Sequence, residues 1–161
     1  MAFEYAATVP FTGSAKRALA VAQSTLISQN FQIVTSNEFE LLAKGPGISS
    51  TRENPLKAVT DASFIIRNSA IEFKGELGGA EKMVKFLRIF PLALGAFFLI
   101  LWTVLAISVP IFRHWWIFVI AILPLTPWIV LGPLIGRSIQ TRTKAAVDAL
   151  IGNMVLLGSA D

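Results

Sequence analysis

The stretch "ASFIIRNSAIEFKGEL", residues 62–77, gives the clearest structural pattern in the first half of this 161-residue chain. Apolar and polar residues alternate on both sides of Asn68 and Ser69, a pair typical of a tight turn. The alternation predicts two antiparallel strands that share one apolar face. The inward residues of this hairpin are Ala62, Phe64, Ile66, Ile71, Phe73 and Leu77.

The residues before this hairpin repeat its pattern. "FQIV" (31–34) and "FELLAKG" (39–45) flank a polar turn, which predicts a second hairpin with Phe39 facing inward. "FEYAATVPF" (3–11) also alternates, and apolar residues recur at helical spacing from Ala15 to Ile27. The order β-α-β-β-β-β over residues 1–88 predicts an α+β domain, in which the helix covers one face of a small antiparallel sheet.

Two uncharged stretches follow this domain. They are residues 89–109, a run of 21, and residues 115–136, a run of 22. At a rise of ~1.5 Å per residue, a helix of the shorter run reaches ~31 Å, about one hydrocarbon thickness. Only five residues connect the runs, so residues 89–136 are predicted to form a two-span hairpin of antiparallel transmembrane helices.

Residues 137–161 carry an apolar stripe that is typical of an amphipathic helix. The stripe consists of Ile139, Ala146, Val147, Leu150, Ile151, Met154 and Val155. The helix either lies along the membrane or packs as a second helix on the sheet. We favour docking on the soluble domain, because the charge pattern returns both chain ends to the same side.

That charge pattern consists of three basic residues before the first span, three after the second, and one firm positive charge between them. The residues are Lys82, Lys85 and Arg88, then Arg113, then Arg137, Arg142 and Lys144. The positive-inside rule therefore predicts a multi-pass membrane protein with both termini in the cytoplasm and a short loop on the outer side. The opening "MAFEYAATVPF" lacks the features of a signal peptide, which agrees with a cytoplasmic N-terminal domain.

The only histidine lies in that short loop, in "FRHWWIF", residues 112–118. Histidine near a membrane can ligate a metal or haem, but those roles favour a place inside the helix bundle and a second ligand. We therefore interpret Arg113, His114, Trp115 and Trp116 as membrane-interface anchors: the first two mark the headgroup level, and the tryptophans belong to the aromatic belt.

Small residues and prolines shape the predicted hairpin. Gly132 and Gly136 form a GxxxG pattern, and Gly95 with Ala96 offers another site where helices can approach closely. Pro124, Pro127 and Pro133 each remove an amide donor from the second span. We expect this span to bend to fit a neighbouring helix.

The remaining composition excludes several classes of function. The chain has no cysteine, and its two apolar spans contain no Asp, Glu, Lys, Arg, Asn or Gln. Thiol chemistry is therefore excluded, and transport by a monomer is disfavoured. Acids and bases are nearly balanced over residues 1–88, without a basic run interleaved with aromatics, so we expect no nucleic acid partner. We also expect no catalytic activity, no cofactor and no metal site.

The leading functional hypothesis is a non-catalytic accessory or scaffolding subunit of a larger integral-membrane complex. A bioenergetic assembly, photosynthetic or respiratory, is the first setting to consider. Its expected partners are other integral-membrane subunits and the lipid bilayer, and a homo-oligomer stays open. The alternative is a membrane-anchored binding module in which helix and sheet enclose a small apolar ligand or lipid. The two hypotheses differ in whether Phe31, Phe39, Phe64 and Phe73 close a dry core.

Overall fold

A computed structural model describes residues 3–47, 54–109, 119, 123 and 126–159. The predicted α+β class and antiparallel sheet are confirmed. The elements are β1 (Glu4–Pro10), α1 (Ala15–Ser28), β2 (Gln32–Ser36), β3 (Glu40–Lys44), a 3-10 helix (Pro55–Ala58), β4 (Asp61–Arg67), β5 (Ala70–Glu76), α2 (Gly78–Ser108) and α3 (Thr126–Gly158).

The five strands form one open antiparallel sheet in the order β1-β5-β4-β3-β2. Three neighbouring pairs are also consecutive in the chain, and two of them, β2–β3 and β4–β5, are joined by short turns. The exception is β1, which pairs with β5 at one edge while β2 lies at the other edge. α1 connects these two edge strands and therefore crosses the sheet.

The central hairpin forms because its two turn residues tolerate a left-handed backbone. Asn68 and Ser69 have φ values of 48° and 55°, the geometry of a two-residue turn that matches the twist of the strands. This turn sets the register in which Phe64 lies opposite Phe73. Their ring centroids are 4.9 Å apart, and both side chains are buried on the inner face of the sheet.

α1 ends in a two-bond C-cap built on a left-handed asparagine. Asn30, with φ 65°, donates its amide to the Ile27 carbonyl, and Phe31 donates to the Leu26 carbonyl, each at 3.0 Å. This arrangement satisfies two carbonyls that the helix end leaves without partners. It also brings the buried Phe31 back against Leu26, so that the chain enters β2 from the core side.

The chain divides into two compact units, of which the first combines Met1–Lys82 with Ser138–Asp161. Its core lies between the inner sheet face and two helices, because α1 and the C-terminal part of α3 both bury apolar residues there. The helical members of this core are Ala18, Leu19, Ala22 and Leu26 of α1, and Val147, Leu150, Ile151 and Met154 of α3.

The second unit, Met83–Arg137, contains the rest of α2 and the start of α3. Of the described residues, α2 alone is long enough and apolar enough to cross a membrane by length and composition. It starts at Gly78, eleven positions before the predicted span, and continues through Pro91. Its most apolar part has no buried residues: Leu92 and Ile107, for example, are 75% and 74% exposed.

The structure differs from two sequence predictions, the burial of Phe39 and the end of the second span at residue 136. Phe39 was predicted to face the core but is 59% exposed. The reason is that β3 begins at Glu40, so Phe39 precedes the strand and uses its carbonyl to accept the Ile66 amide at 2.8 Å. Nine of the 22 residues of the predicted second span, 115–136, lie outside the described residues, and the described part of the chain does not show the predicted two-helix hairpin. The last eleven residues of that span begin α3, which passes residue 137 without a break.

Candidate functional site

The outer face of the sheet, opposite the two covering helices, carries a row of charged side chains. Strand register places Glu4 opposite Glu76, Glu76 opposite Asp61, and Asp61 opposite Lys44. Side chains directly opposite each other on one face have Cβ atoms ~4.5–5.5 Å apart. All four are exposed, so three carboxylates and one ammonium group cross four strands in a line.

The next row on the outer face mixes apolar and polar groups. Ala6 lies opposite Lys74, Lys74 opposite Ser63, and Ser63 opposite Leu42. A register shift between Ile33 and Thr35 adds Val34 at the end of this row, where its side chain is 63% exposed. A bulge of this kind leaves the extra residue unpaired and bends the strand, which re-aims its side chain.

These two rows line an open concavity of about 680 Å³. Within the described part of the chain, no group of three or more His, Cys, Asp and Glu residues is arranged to hold a metal ion. The concavity instead offers carboxylates, ammonium groups, a hydroxyl and short apolar side chains side by side. The concavity is open and charged, so it lacks the enclosed apolar lining that is typical of sites for small apolar ligands.

The inner side of the sheet, in contrast, is closed. The space between sheet and helices is a cavity of about 10 Å³, lined by Leu26, Phe31, Leu56, Val59, Ala62, Phe64, Phe73, Val147 and Leu150. A single water molecule needs at least ~10–15 Å³. Phe31, Phe64 and Phe73 therefore close a dry core, and Phe39 lies outside it.

A polar contact joins the edge strand β1 to α3. The Tyr5 hydroxyl donates a hydrogen bond of 2.6 Å to Asp148 Oδ1, and Lys144 Nζ lies 5.4 Å from the centroid of the Tyr5 ring. The hydrogen bond to Asp148, together with partial burial and the nearby negative charge, raises the pKa of Tyr5 above its ordinary value. The phenol is therefore neutral at physiological pH and acts as a hydrogen-bond donor.

A backbone contact joins the end of α3 to the start of α1. The Ser14 amide donates to the Gly158 carbonyl at 2.9 Å. Gly13 lies so close to this carbonyl that an added Cβ would be 2.3 Å from the oxygen. Gly158 itself packs on Phe11 and Ala18, each 2.9 Å from the position of an added Cβ. The approach requires glycine at both positions.

The predicted helix-packing glycines Gly132 and Gly136 lie against α2. An added Cβ would be 3.0 Å from Val84 Cγ2 at Gly136, and 3.4 Å from the Leu87 carbonyl oxygen at Gly132. The glycines are one helical turn apart and therefore share a face of α3. The other two candidates lie in α2, where Gly95 is half-buried and Ala96 is exposed.

The remaining predicted positions divide between described and undescribed residues. Pro127 and Pro133 are exposed residues of α3, and Pro127 lies in its first turn, where a missing amide costs little. Arg113, His114, Trp115, Trp116 and Pro124 lie outside the described residues, so their roles stay predictions.

Three structural features were not predicted from the sequence: a proline inside α2 and two long-range contacts. Pro91 interrupts the amide pattern of α2, and it is visible in the sequence inside the predicted first span. The bond between Tyr5 and Asp148 joins residues 143 positions apart, and the approach of Gly13 to Gly158 is equally distant. No local pattern marks such pairs, because each residue alone is an ordinary member of its element.

Comparison with known proteins gave no match: no family model fits the chain, and neither the curated proteins nor the solved structures contain a similar one.

Proposed function

We propose that this protein is a non-catalytic accessory subunit of a larger integral-membrane assembly. In this proposal α2 anchors the chain, and the outer face of the sheet, defined by the two rows around its concavity, binds a partner at the cytoplasmic side. The observation that carries the proposal is the contrast between a closed inner core and two open surfaces, one apolar and one of mixed charge.

The apolar surface supports the membrane part of the proposal. From Ile89 to Ser108, α2 has 20 residues without a charge, which reach ~30 Å, about one hydrocarbon thickness. Soluble monomers rarely expose continuous apolar surface of this extent. Lipid or neighbouring helices would cover it, and both are present in a membrane assembly.

The second span completes this proposal. We infer that residues 115–136 form a hairpin with α2, with both termini in the cytoplasm and the short loop outside. The contact of Gly132 and Gly136 with α2 supports close packing of the two helices. The six basic residues that flank the spans on the terminal side support the orientation.

The soluble part supports binding of a macromolecule over storage of a small ligand. A drug-sized ligand occupies a pocket of ~300–1,000 Å³ that surrounds most of its surface. The apolar cavity between sheet and helices has only about 10 Å³. The concavity of about 680 Å³ is open and lined by charged groups, which suits a protein surface better than an apolar ligand or lipid.

Purification of the tagged full chain in mild detergent tests the proposal. We expect partner subunits to co-purify at fixed stoichiometry. Asp61→Lys reverses one charge of the outer face and should release the partner domain that binds there. Glu38→Lys reverses an equally exposed acid in the β2–β3 loop and should retain all partners. A homogeneous monomer in mild detergent would contradict the accessory role.

A further inference from the structure

Acidic and basic residues are unevenly distributed between residues 82–147 and the rest of the chain. All ten acidic residues lie outside residues 82–147, whereas seven of the fourteen basic residues lie inside that segment. The segment therefore carries a net charge of +7 and the remainder −3, which together give the overall +4. The seven bases are Lys82, Lys85, Arg88, Arg113, Arg137, Arg142 and Lys144.

Three of these bases lie near the contact between α2 and α3. We call them the basic collar: Lys85 and Arg88 of α2 and Arg137 of α3, all of them exposed. Gly136 packs on Val84. Arg137 and Lys85, the next residues of their helices, therefore lie at a similar level along the helix pair. Arg88 lies one helical turn further towards the apolar part of α2.

The collar marks the boundary between the charged and the apolar surface of α2. Directly after Arg88 come Ile89, Phe90 and Leu92, which are 63%, 42% and 75% exposed. No acidic residue follows in α2. Long basic side chains at such a boundary extend their charged ends towards the headgroup region while their aliphatic parts cover apolar surface.

We propose that the basic collar binds the phosphate groups of anionic phospholipids. Clusters of Lys and Arg directly beside a membrane helix attract anionic lipids, and arginine can bind a phosphate through two parallel hydrogen bonds. This inference rests on the proposed membrane anchoring and extends it from a hydrophobic anchor to a lipid-selective one. The simpler interpretation is that the charges only orient the helices, without preference among lipids.

Retention of lipid by the full chain tests the proposal. The protein is reconstituted into vesicles of phosphatidylcholine mixed in equal amounts with phosphatidylglycerol, extracted in mild detergent, and its bound lipids are quantified. We expect the ratio of phosphatidylglycerol to phosphatidylcholine among the bound lipids to exceed the bulk ratio by at least about fivefold, the effect of one basic residue near an anionic surface. High salt should reduce this enrichment, because exposed charges are screened.

Two variants assign the effect to the collar. The triple variant Lys85→Gln, Arg88→Gln, Arg137→Gln should retain the lipids in the bulk ratio, whereas Arg88→Lys with Arg137→Lys should keep most of the enrichment because both charges remain. The matched control Lys16→Gln, Lys57→Gln, Arg67→Gln removes three positive charges of the first unit that lie outside the outer-face rows, and it should match the wild type.

The outcomes separate the two proposals. Equal retention of both lipids by the wild type, or unchanged enrichment in the triple variant, overturns lipid selectivity and leaves the anchor intact. Displacement of the lipid by inorganic phosphate, but not by chloride at the same ionic strength, also overturns it, because the collar would then be a site for free phosphate. Failure of the wild type to insert into any vesicle refutes the anchor itself.

Discussion

Replacing Gly13 by alanine tests whether the end of α3 lies on the turn before α1. The added Cβ would lie 2.3 Å from the Gly158 oxygen, 2.6 Å from its carbonyl carbon and 2.8 Å from the Ser159 Cα. All three are backbone atoms, so no side-chain rotation can relieve the overlap. The end of α3 must move away, and the hydrogen bond from the Ser14 amide to Gly158 lengthens.

The expected magnitude follows from three effects. Inserting a methyl group into a packed site costs ~1–3 kcal/mol. Weakening one hydrogen bond adds ~0.5–1.5 kcal/mol. Alanine returns about 0.4–1 kcal/mol, because it lowers the conformational entropy of the unfolded chain. The net loss in the free energy of unfolding is therefore about 2 kcal/mol.

Gly152→Ala provides the control on the same helix. Gly152 is exposed, and nothing lies within 4 Å of the position of an added Cβ. Alanine in a helix interior is favoured over glycine by about 1 kcal/mol, so this variant should be more stable than the wild type. The change from glycine to alanine should thus raise the free energy of unfolding at Gly152, inside α3, and lower it at Gly13, in the turn that α3 contacts.

Denaturant unfolding of the full chain in detergent, followed by circular dichroism, gives the two free energies. Hydrogen exchange localises the change: the amides of α1 and of residues 138–158 should lose protection in Gly13→Ala. A Gly13→Ala protein as stable as the wild type, with unchanged protection, would refute the contact between the end of α3 and the turn.

Three shorter predictions address other contacts. Tyr5 is the only tyrosine, so its absorbance titration should give a pKa above the ordinary value of about 10. Because the folded-state pKa is raised, the stabilising contact is complete below that ordinary value and is lost as pH rises through the folded-state pKa. Tyr5→Phe should show no such loss of stability, and equal pH profiles of stability for the two proteins would contradict the bond to Asp148. Phe64→Ala should cost ~3–5 kcal/mol of unfolding free energy in denaturant titration and Phe39→Ala under about 1 kcal/mol, since only Phe64 is buried; equal costs would contradict the assigned core. Gly136→Leu should separate α2 from α3 and lower the thermal unfolding temperature in detergent, and an unchanged temperature would show that the facing valine does not contact this glycine.

Local sequence patterns predicted the elements well, because each pattern depends on residues only a few positions apart. Alternation around Asn68 and Ser69 predicted β4, β5 and the turn between them. The 3.6-residue period from Ala15 to Ile27 predicted α1, which spans Ala15–Ser28 and is followed by the left-handed cap at Asn30. The apolar run from Ile89 predicted the most apolar part of α2, but its start at Gly78 was missed because residues 78–88 are charged and carry no membrane signal.

Where periodicity was ambiguous, the prediction of burial depended on the strand boundary. Phe39 fits the alternation of "FELLAKG" and was expected to face inward. In the structure β3 starts one residue later, and the backbone of Phe39 bonds to Ile66 from outside the core. The bulge at Val34 has the same origin, since an inserted residue in one strand depends on the partner strand and not on its own sequence.

From the sequence, the candidate site can be predicted only as a set of outward-facing residues. In "ASFIIRNSAIEFKGEL", alternation places Glu72 and Glu76 on the face opposite Ile71 and Phe73. It could not identify that Glu4, Glu76 and Asp61 form one row, because the row exists only after β1 pairs with β5. The concavity is thus a property of strand order.

Local patterns account for most of the strands and helices, the uneven distribution of charge and the apolar length of α2, because hydrophobic periodicity and run length act over short stretches of chain. Three contacts follow only from the packed fold: β1 beside β5, Tyr5 with Asp148, and Gly13 with Gly158. These contacts close loops of 60 to 145 residues, and the entropy of such closure is overcome only by the burial of the whole core. No single residue encodes them, since they form together when α1 and α3 cover the inner face of the sheet.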